Sequence, residues 1–351
     1  MIRRPAGVAL LLSLLILGAA CDNSPAVPTQ SPAVVGTTNG GSTPPADPAV
    51  PTVDPYNPLV VSPFIVDTGA TPGGRLAFSY SIDFWENPIR IYSVLPDGSG
   101  FTLVTPPEVM YAWSPSWSPD DALIAYATYG TGGRSFIWVT RPDGTGGRQV
   151  IEGDYPFWLA DGRIGYQCAS TGICAVDPSG ANPTVLFSRA GDAPDSQFRL
   201  SPDGTLIAFV RFVENATHVY GPGDIHYTLW VMRRDGTGQR RLTSTDPSAT
   251  MEFAPSWSRD GRQIAFRSGQ LGIAVADADG GRLHTVSRQG DISPSIGRGS
   301  PAWSPDGTKI IFGGESGVFF IANADGSGLI RRVKVPTPGG YTAAELTWSN
   351  R

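Results

Sequence analysis

One stretch of this chain gathers most of its chemistry-bearing side chains. Residues 211–228, RFVENATHVYGPGDIHYT, hold His218 and His226 among Glu214, Asp224, Tyr220 and Tyr227. Imidazoles and carboxylates are zinc donors and general acid–base groups. A metal site needs three or four converging ligands, and His-x7-His matches no established ligand spacing. The stretch therefore reads as an aromatic-rich protein-contact loop. Asp277-Ala278-Asp279-Gly280 resembles the start of a calcium loop, but the twelve-residue frame and its closing Glu are absent, which leaves a turn. No metal and no cofactor are expected. Gly-x-Ser-x-Gly, His-Glu-x-x-His and a phosphate-binding Gly loop are all missing from the sequence. A site assembled from scattered loop residues would leave no such spacing, so a carbohydrate- or peptide-processing activity stays open beside a non-enzymatic reading.

The three cysteines carry the remaining chemistry. Cys168 and Cys174 flank the turn ASTGI, six residues apart across a hairpin. In an oxidising compartment such a pair is expected to form a disulfide, the alternative being two free thiols. Cys21 stands alone. Before it come Arg3 and Arg4, an apolar run over 6–17, and Gly18-Ala19-Ala20, the order of an export signal with a run too short to span a membrane. This arrangement resembles the lipobox of bacterial lipoproteins, which implies lipidation of Cys21 and stable anchoring through its acyl chains. The family usually has Leu three residues before the cysteine, whereas here Gly18 holds that place and Leu17 precedes it. Cleavage by an ordinary signal peptidase is the alternative.

From 22 to 74 there is no Lys or Arg, and Pro, Thr, Ser, Gly and Ala dominate. Such a segment buries too little apolar area to offset its ordering entropy, so 21–74 is expected to be a tether. A more apolar stretch at 59–66 is expected to pack on the edge of the domain that follows. Without residues 1–20 the chain has 24 Lys and Arg against 31 Asp and Glu, near −7. That balance argues against nucleic acid as a partner and against a polybasic membrane face.

The elements that must position these residues recur along the chain. A Trp-Ser-Pro-Asp phrase is centred on Trp117, Trp158, Leu200, Trp257, Trp303 and Trp348, with gaps of 41, 42, 57, 46 and 45 residues. An apolar-small-aromatic triplet follows each of the first five phrases, as in Ile124-Ala125-Tyr126, Ile207-Ala208-Phe209 and Ile264-Ala265-Phe266. A tight turn closes each unit at Asp97, Asp143, Ser179, Asp235, Asp279 and Asp325, each followed by Gly. Short strands at a period of about 40–45 residues predict a β-propeller. The first triplet, at Leu76, lacks a Trp phrase before it, and Trp348 lacks a triplet after it. Joined, the two complete one blade: an inner strand from 345–349 and three strands from 75–104. The expectation is an all-β, six-bladed ring over 75–351, closed by its C-terminal strand.

The pattern P-x-W-S-P-D-G-x-x-I-A-F followed by D-G-x-G, best matched at 198–243, 255–286 and 301–333, resembles the TolB propeller, the periplasmic part of the bacterial Tol–Pal system. The resemblance covers essentially all of 75–350 and implies the fold. Similar repeats serve scaffold proteins, hydrolase propellers and polysaccharide lyases. TolB's helical N-terminal domain has no counterpart in 22–74.

In an up-and-down blade the Ser-Pro-Asp and Asp-Gly turns share one face, expected to be plain. The variable segments 79–88, 105–115, 127–135, 188–197, 211–228, 244–254 and 287–299 share the other, expected to be the interaction face. It would carry Trp85, Tyr111 and Tyr129 beside the residues of 211–228. These readings combine into a monomeric, lipid-anchored scaffold of the bacterial cell envelope, binding an envelope protein through that face. The alternative is a propeller enzyme with its site there.

Overall fold

The computed structural model of the protein describes residues 65–66, 73–81, 88–168, 172–188, 195–214, 225–243, 252–268, 272–287, 300–313, 318–334 and 345–350. These residues form six antiparallel sheets in a ring. Blade 2 shows the pattern. Its strands Ala112–Trp117, Ile124–Tyr129, Ser135–Thr140 and Arg148–Glu152 run in sequence order from the axis outward. The inner strands of blades 3 to 6 are Asp154–Trp158, Asp195–Leu200, Glu252–Trp257 and Ala302–Trp303.

Blade 1 closes the ring. Its inner strand is Leu346–Trp348, paired antiparallel to Leu76–Tyr80, with Leu76 opposite Trp348 and Phe78 opposite Leu346. The join is tied further by Arg75 N–H, which donates to Ser349 Oγ at 2.7 Å, and by Ser349 N–H, which donates to Arg75 O at 2.8 Å. Asn350 then reaches blade 2, where its N–H donates to Asp121 Oδ1 at 2.7 Å. The predicted six-bladed, C-terminally closed ring is the fold observed.

The core lies between blades. The triplets Ile124-Ala125-Tyr126, Ile207-Ala208-Phe209 and Ile264-Ala265-Phe266 are fully buried. Each blade is covered on both faces, so the triplet strand is apolar throughout instead of alternating. At the closing seam Phe78 of blade 1 meets Phe319 of blade 6 edge-on, with ring centroids 4.7 Å apart. Inner-strand tryptophans stitch adjacent blades: the Trp158 indole donates to Ser116 O at 2.9 Å, Trp257 to Arg199 O at 2.9 Å, and Trp303 to Ser256 O at 3.0 Å. Trp348 donates instead to Gly73 O at 2.8 Å, and Leu200 in blade 4 has no indole to give.

Both turn types are self-bonded. Ser304 Oγ donates to Asp306 Oδ1 at 2.5 Å and accepts Lys309 N–H at 2.9 Å, while Asp306 Oδ1 accepts Thr308 N–H at 3.0 Å. Ser118, Ser201 and Ser258 repeat that bonding. In the Asp-Gly turns, Gly144 and Gly326 have φ of 82° and 77°. A Cβ at either would stand 2.9 Å from Leu103 O or 2.5 Å from Thr285 O in the preceding blade, so neither position accepts another residue without displacing backbone.

Two segments extend the sheets beyond the repeat. Within 21–74, Ile65–Val66 is a strand, paired antiparallel to the outer strand Leu329–Lys334 of blade 6, with Ile65 opposite Val333. It covers an otherwise unpaired sheet edge. By sequence, 211–228 reads as a loop insertion. The described ends of this stretch are strand: Leu206–Glu214 and Ile225–Arg233 pair over nine residues and lengthen the two middle strands of blade 4 as a strand pair. Its base is clamped by Arg211, which donates to both Asp195 carboxylate oxygens at 2.7 and 3.0 Å and lies 4.4 Å from the Trp230 ring centroid.

Candidate functional site

Six inner strands converge on one axis, and what they present there depends on a local irregularity. Three residues before the Trp position, Ser114, Tyr155, Gln197 and Ala254 all have φ between 50° and 58°. The register between the inner strand and its neighbour slips at each of these places. These are β-bulges, which bend the strand and re-aim its side chains. Ser300 and Glu345 hold the matching positions of blades 6 and 1.

A cavity of about 680 Å³ runs down the axis and opens among the Ser-Pro-Asp turns, between Pro119, Asp161, Pro202 and Pro305. That is the face expected to be plain. Ser114, Arg199, Ala254, Ser300 and Glu345 line its deeper part. Ser114 Oγ donates to Glu345 Oε2. The Arg199 guanidinium donates to Phe198 O at 3.1 Å and lies 5.8 and 5.9 Å from the ring centroids of Tyr155 and Phe157. Asp154 accepts from the Trp113 indole at 2.8 Å and from Tyr155 N–H at 2.8 Å.

Burial sets the electrostatics of these groups. It raises the Glu345 and Asp154 carboxyls above the usual carboxylate range, against the opposing pull of Arg199 and of their hydrogen bonds. It raises the Tyr155 phenol, with the Glu345 and Asp154 charges adding to the effect, and it lowers the Arg199 guanidinium. Of these perturbed groups Glu345 and Arg199 line the cavity, which marks it as a candidate site.

None of these residues was singled out from the sequence. The available signal was departure from the repeat. One residue before the Trp position the blades carry Ser116, Phe157, Ser256, Ala302 and Thr347, all neutral, and blade 4 carries Arg199. At the bulge position the other blades are neutral, and blade 1 carries Glu345.

The residues expected on the loop face divide differently. Tyr111 and Tyr129 are exposed at 44% and 56%, and Tyr129 packs its ring 4.3 Å from that of Trp113. Tyr227 lies on the blade 4 strand pair with its ring 4.9 Å from Phe253. Glu214 and His226 are residues of that pair, opposite Ile225 and Val213. Trp85, His218, Tyr220 and Asp224 lie outside the described residues, as does Cys21. Cys168 and Cys174 are joined by a disulfide with their Cα atoms 5.6 Å apart, on adjacent strands of blade 3. Among the described residues no group of three or more His, Cys, Asp or Glu side chains is placed to hold a metal ion.

No protein-family model matches the chain. Dipeptidyl-peptidase 5 of Porphyromonas gingivalis is 35% identical over 78 residues, which is 22% of this chain and 10% of that protein. Among solved structures, TolB from Acinetobacter baumannii superposes with a TM-score of 0.59 at 19% identity, over 80% of this chain and 68% of that one. A chain of a nidogen/laminin complex gives 0.55 at 12% identity, over 79% and 98%. The shared feature is the propeller fold.

Proposed function

We propose that this chain is a protein-interaction scaffold of the bacterial cell envelope, exported by residues 1–20, anchored through lipid on Cys21 and binding an envelope partner through its loop-rich face. One observation carries the binding reading. Of the five exposed large apolar side chains among the described residues, three sit together at the loop face: Met110 at 51%, Tyr111 at 44% and Tyr129 at 56%. The register pairing Ala112 with Thr128 brings Tyr111 and Tyr129 to the same end of blade 2. Tyr129, a strand residue with its ring against Trp113, and the exposed Met110 and Tyr111 just before the inner strand match the composition of interface cores. Resemblance to a propeller of the Tol–Pal system supports the envelope location.

The 78-residue match to a dipeptidyl-peptidase spans too little of that enzyme to carry a peptidase proposal.

The test is site-specific photocrosslinking in intact cells. A benzophenone side chain at Tyr129 should give a discrete protein adduct, whereas one at Asp235, on the opposite turn face, should not. Equal adducts from both faces, or none from Tyr129, would contradict the reading. Anchoring is checked separately by Cys21→Ser, which should move the protein from the membrane to the soluble fraction.

A further inference from the structure

The channel carries one cation and one anion at positions where the repeat is otherwise neutral. Arg199 belongs to blade 4 and Glu345 to blade 1, and in a ring of six these blades face each other across the axis. A structural role would have the two pair and plug the channel. They do not: among the described residues Glu345 takes its side-chain hydrogen bond from Ser114, and Arg199 gives its own to the Phe198 carbonyl. No direct ion pair joins the two, so burying them is costly even with the longer-range attraction of Arg199 for Glu345 and Asp154, and neutral residues serve at every matching position of the other blades. Packing alone therefore does not account for either residue. Both line a cavity of about 680 Å³, within the range that holds small molecules, with an open mouth among the turns. Phe157, which also lines the cavity, gives the Arg199 side aromatic surface, and Tyr155 packs against the Arg199 guanidinium.

We infer that this cavity binds a small zwitterionic ligand, whose carboxylate meets Arg199 and whose ammonium group meets Glu345. A guanidinium matches a carboxylate with two parallel hydrogen bonds, and a carboxylate is the complementary partner for an ammonium. Because the two protein charges stand on opposite walls, the site is selective for the separation between the ligand's charges. The site opens on the turn face and does not rest on the loop-face interaction proposed above.

The experiment titrates the purified full-length protein in detergent with glycine, β-alanine, 4-aminobutyrate and 6-aminohexanoate. Acetate and propylamine serve as single-charge probes at equal ionic strength, and binding is read by calorimetry. One chain length should bind at least tenfold more tightly than either single-charge probe. Its N-acetyl and methyl ester forms should each lose that gain, which reads both charges from the ligand side even if a protein variant fails to fold. Arg199→Gln and Glu345→Gln should each abolish the length preference. The inference is overturned if every member binds within threefold of acetate and propylamine. It is equally overturned if the blocked forms bind as well as the parent, or if the preference survives both substitutions.

Discussion

The two ends of the inner strands follow different rules. At the turn end, four blades repeat one hydrogen-bond pattern: a Ser hydroxyl donates to an Asp two residues on and accepts a backbone N–H five residues on. The Asp203, Asp260 and Asp306 carboxyls lie below the usual range, chiefly because that hydroxyl bonds the ionised form. At the bulge end the side chains differ blade by blade, and burial pushes Glu345 and Asp154 the other way. Sameness marks the part that builds the ring. Difference, at positions the fold does not dictate, marks the part free to recognise something.

The largest effect should come from breaking the ring. Deleting 339–351 removes the inner strand of blade 1 and with it Trp348, which is 6% exposed. Losing a buried Trp costs about 3–5 kcal/mol before any backbone pairing is counted, against roughly 5–15 kcal/mol for a whole domain. The expected product is aggregated or rapidly digested in limited proteolysis. Deleting 22–55 should leave the melting curve nearly unmoved, and a C-terminal deletion that melts like the parent would refute the closure.

That closure was legible because a propeller repeats itself: an orphan triplet at Leu76 and an orphan Trp348 can be joined on paper. The disulfide was legible because its cysteines flank a single turn. The edge strand at Ile65–Val66 was visible only as an apolar stretch, since its partner Val333 is far along the chain. Arg199 and Glu345 were not legible as a pair. They lie 146 positions apart in number, each reads as one more residue of an inner strand, and only convergence on the axis brings them to one cavity. His218 and His226 drew attention by residue type alone, and His218 lies outside the described residues.

Next in size is the blade 3 disulfide. Replacing both Cys168 and Cys174 by Ser should cost about 2 kcal/mol, the scale for closing so short a loop, and lower Tm accordingly. Intact mass after alkylation without reductant should show no modified thiol at either position.

Smaller is the loss of one turn. Ser304→Ala removes a donor to Asp306 and an acceptor for Lys309 N–H, for about 1 kcal/mol. The parent should also show a pH signature at this end. A carboxyl whose folded pKa is depressed contributes its full stability above the ordinary value near 4 and loses it as pH falls through the lower folded pKa. Urea midpoints should therefore fall on acidification below about pH 4, and less steeply in a variant with Asp203, Asp260 and Asp306 all replaced by Asn.

The channel end should behave oppositely, and this tests the central claim that Glu345 and Arg199 do not hold the ring together. A carboxyl with a raised folded pKa contributes stability while protonated and loses it as pH rises through that pKa. The decisive measurement is Tm of the parent, Glu345→Gln and Ser304→Ala, side by side at pH 5 and pH 8. Ser304→Ala should melt about 2 °C below the parent at both, on the scale of a 1 kcal/mol loss in a large domain. Glu345→Gln should match or exceed the parent at pH 8, with any gain shrinking at pH 5. If Glu345→Gln instead melts below Ser304→Ala at pH 8, Glu345 is a structural partner of the ring and the account of the channel fails.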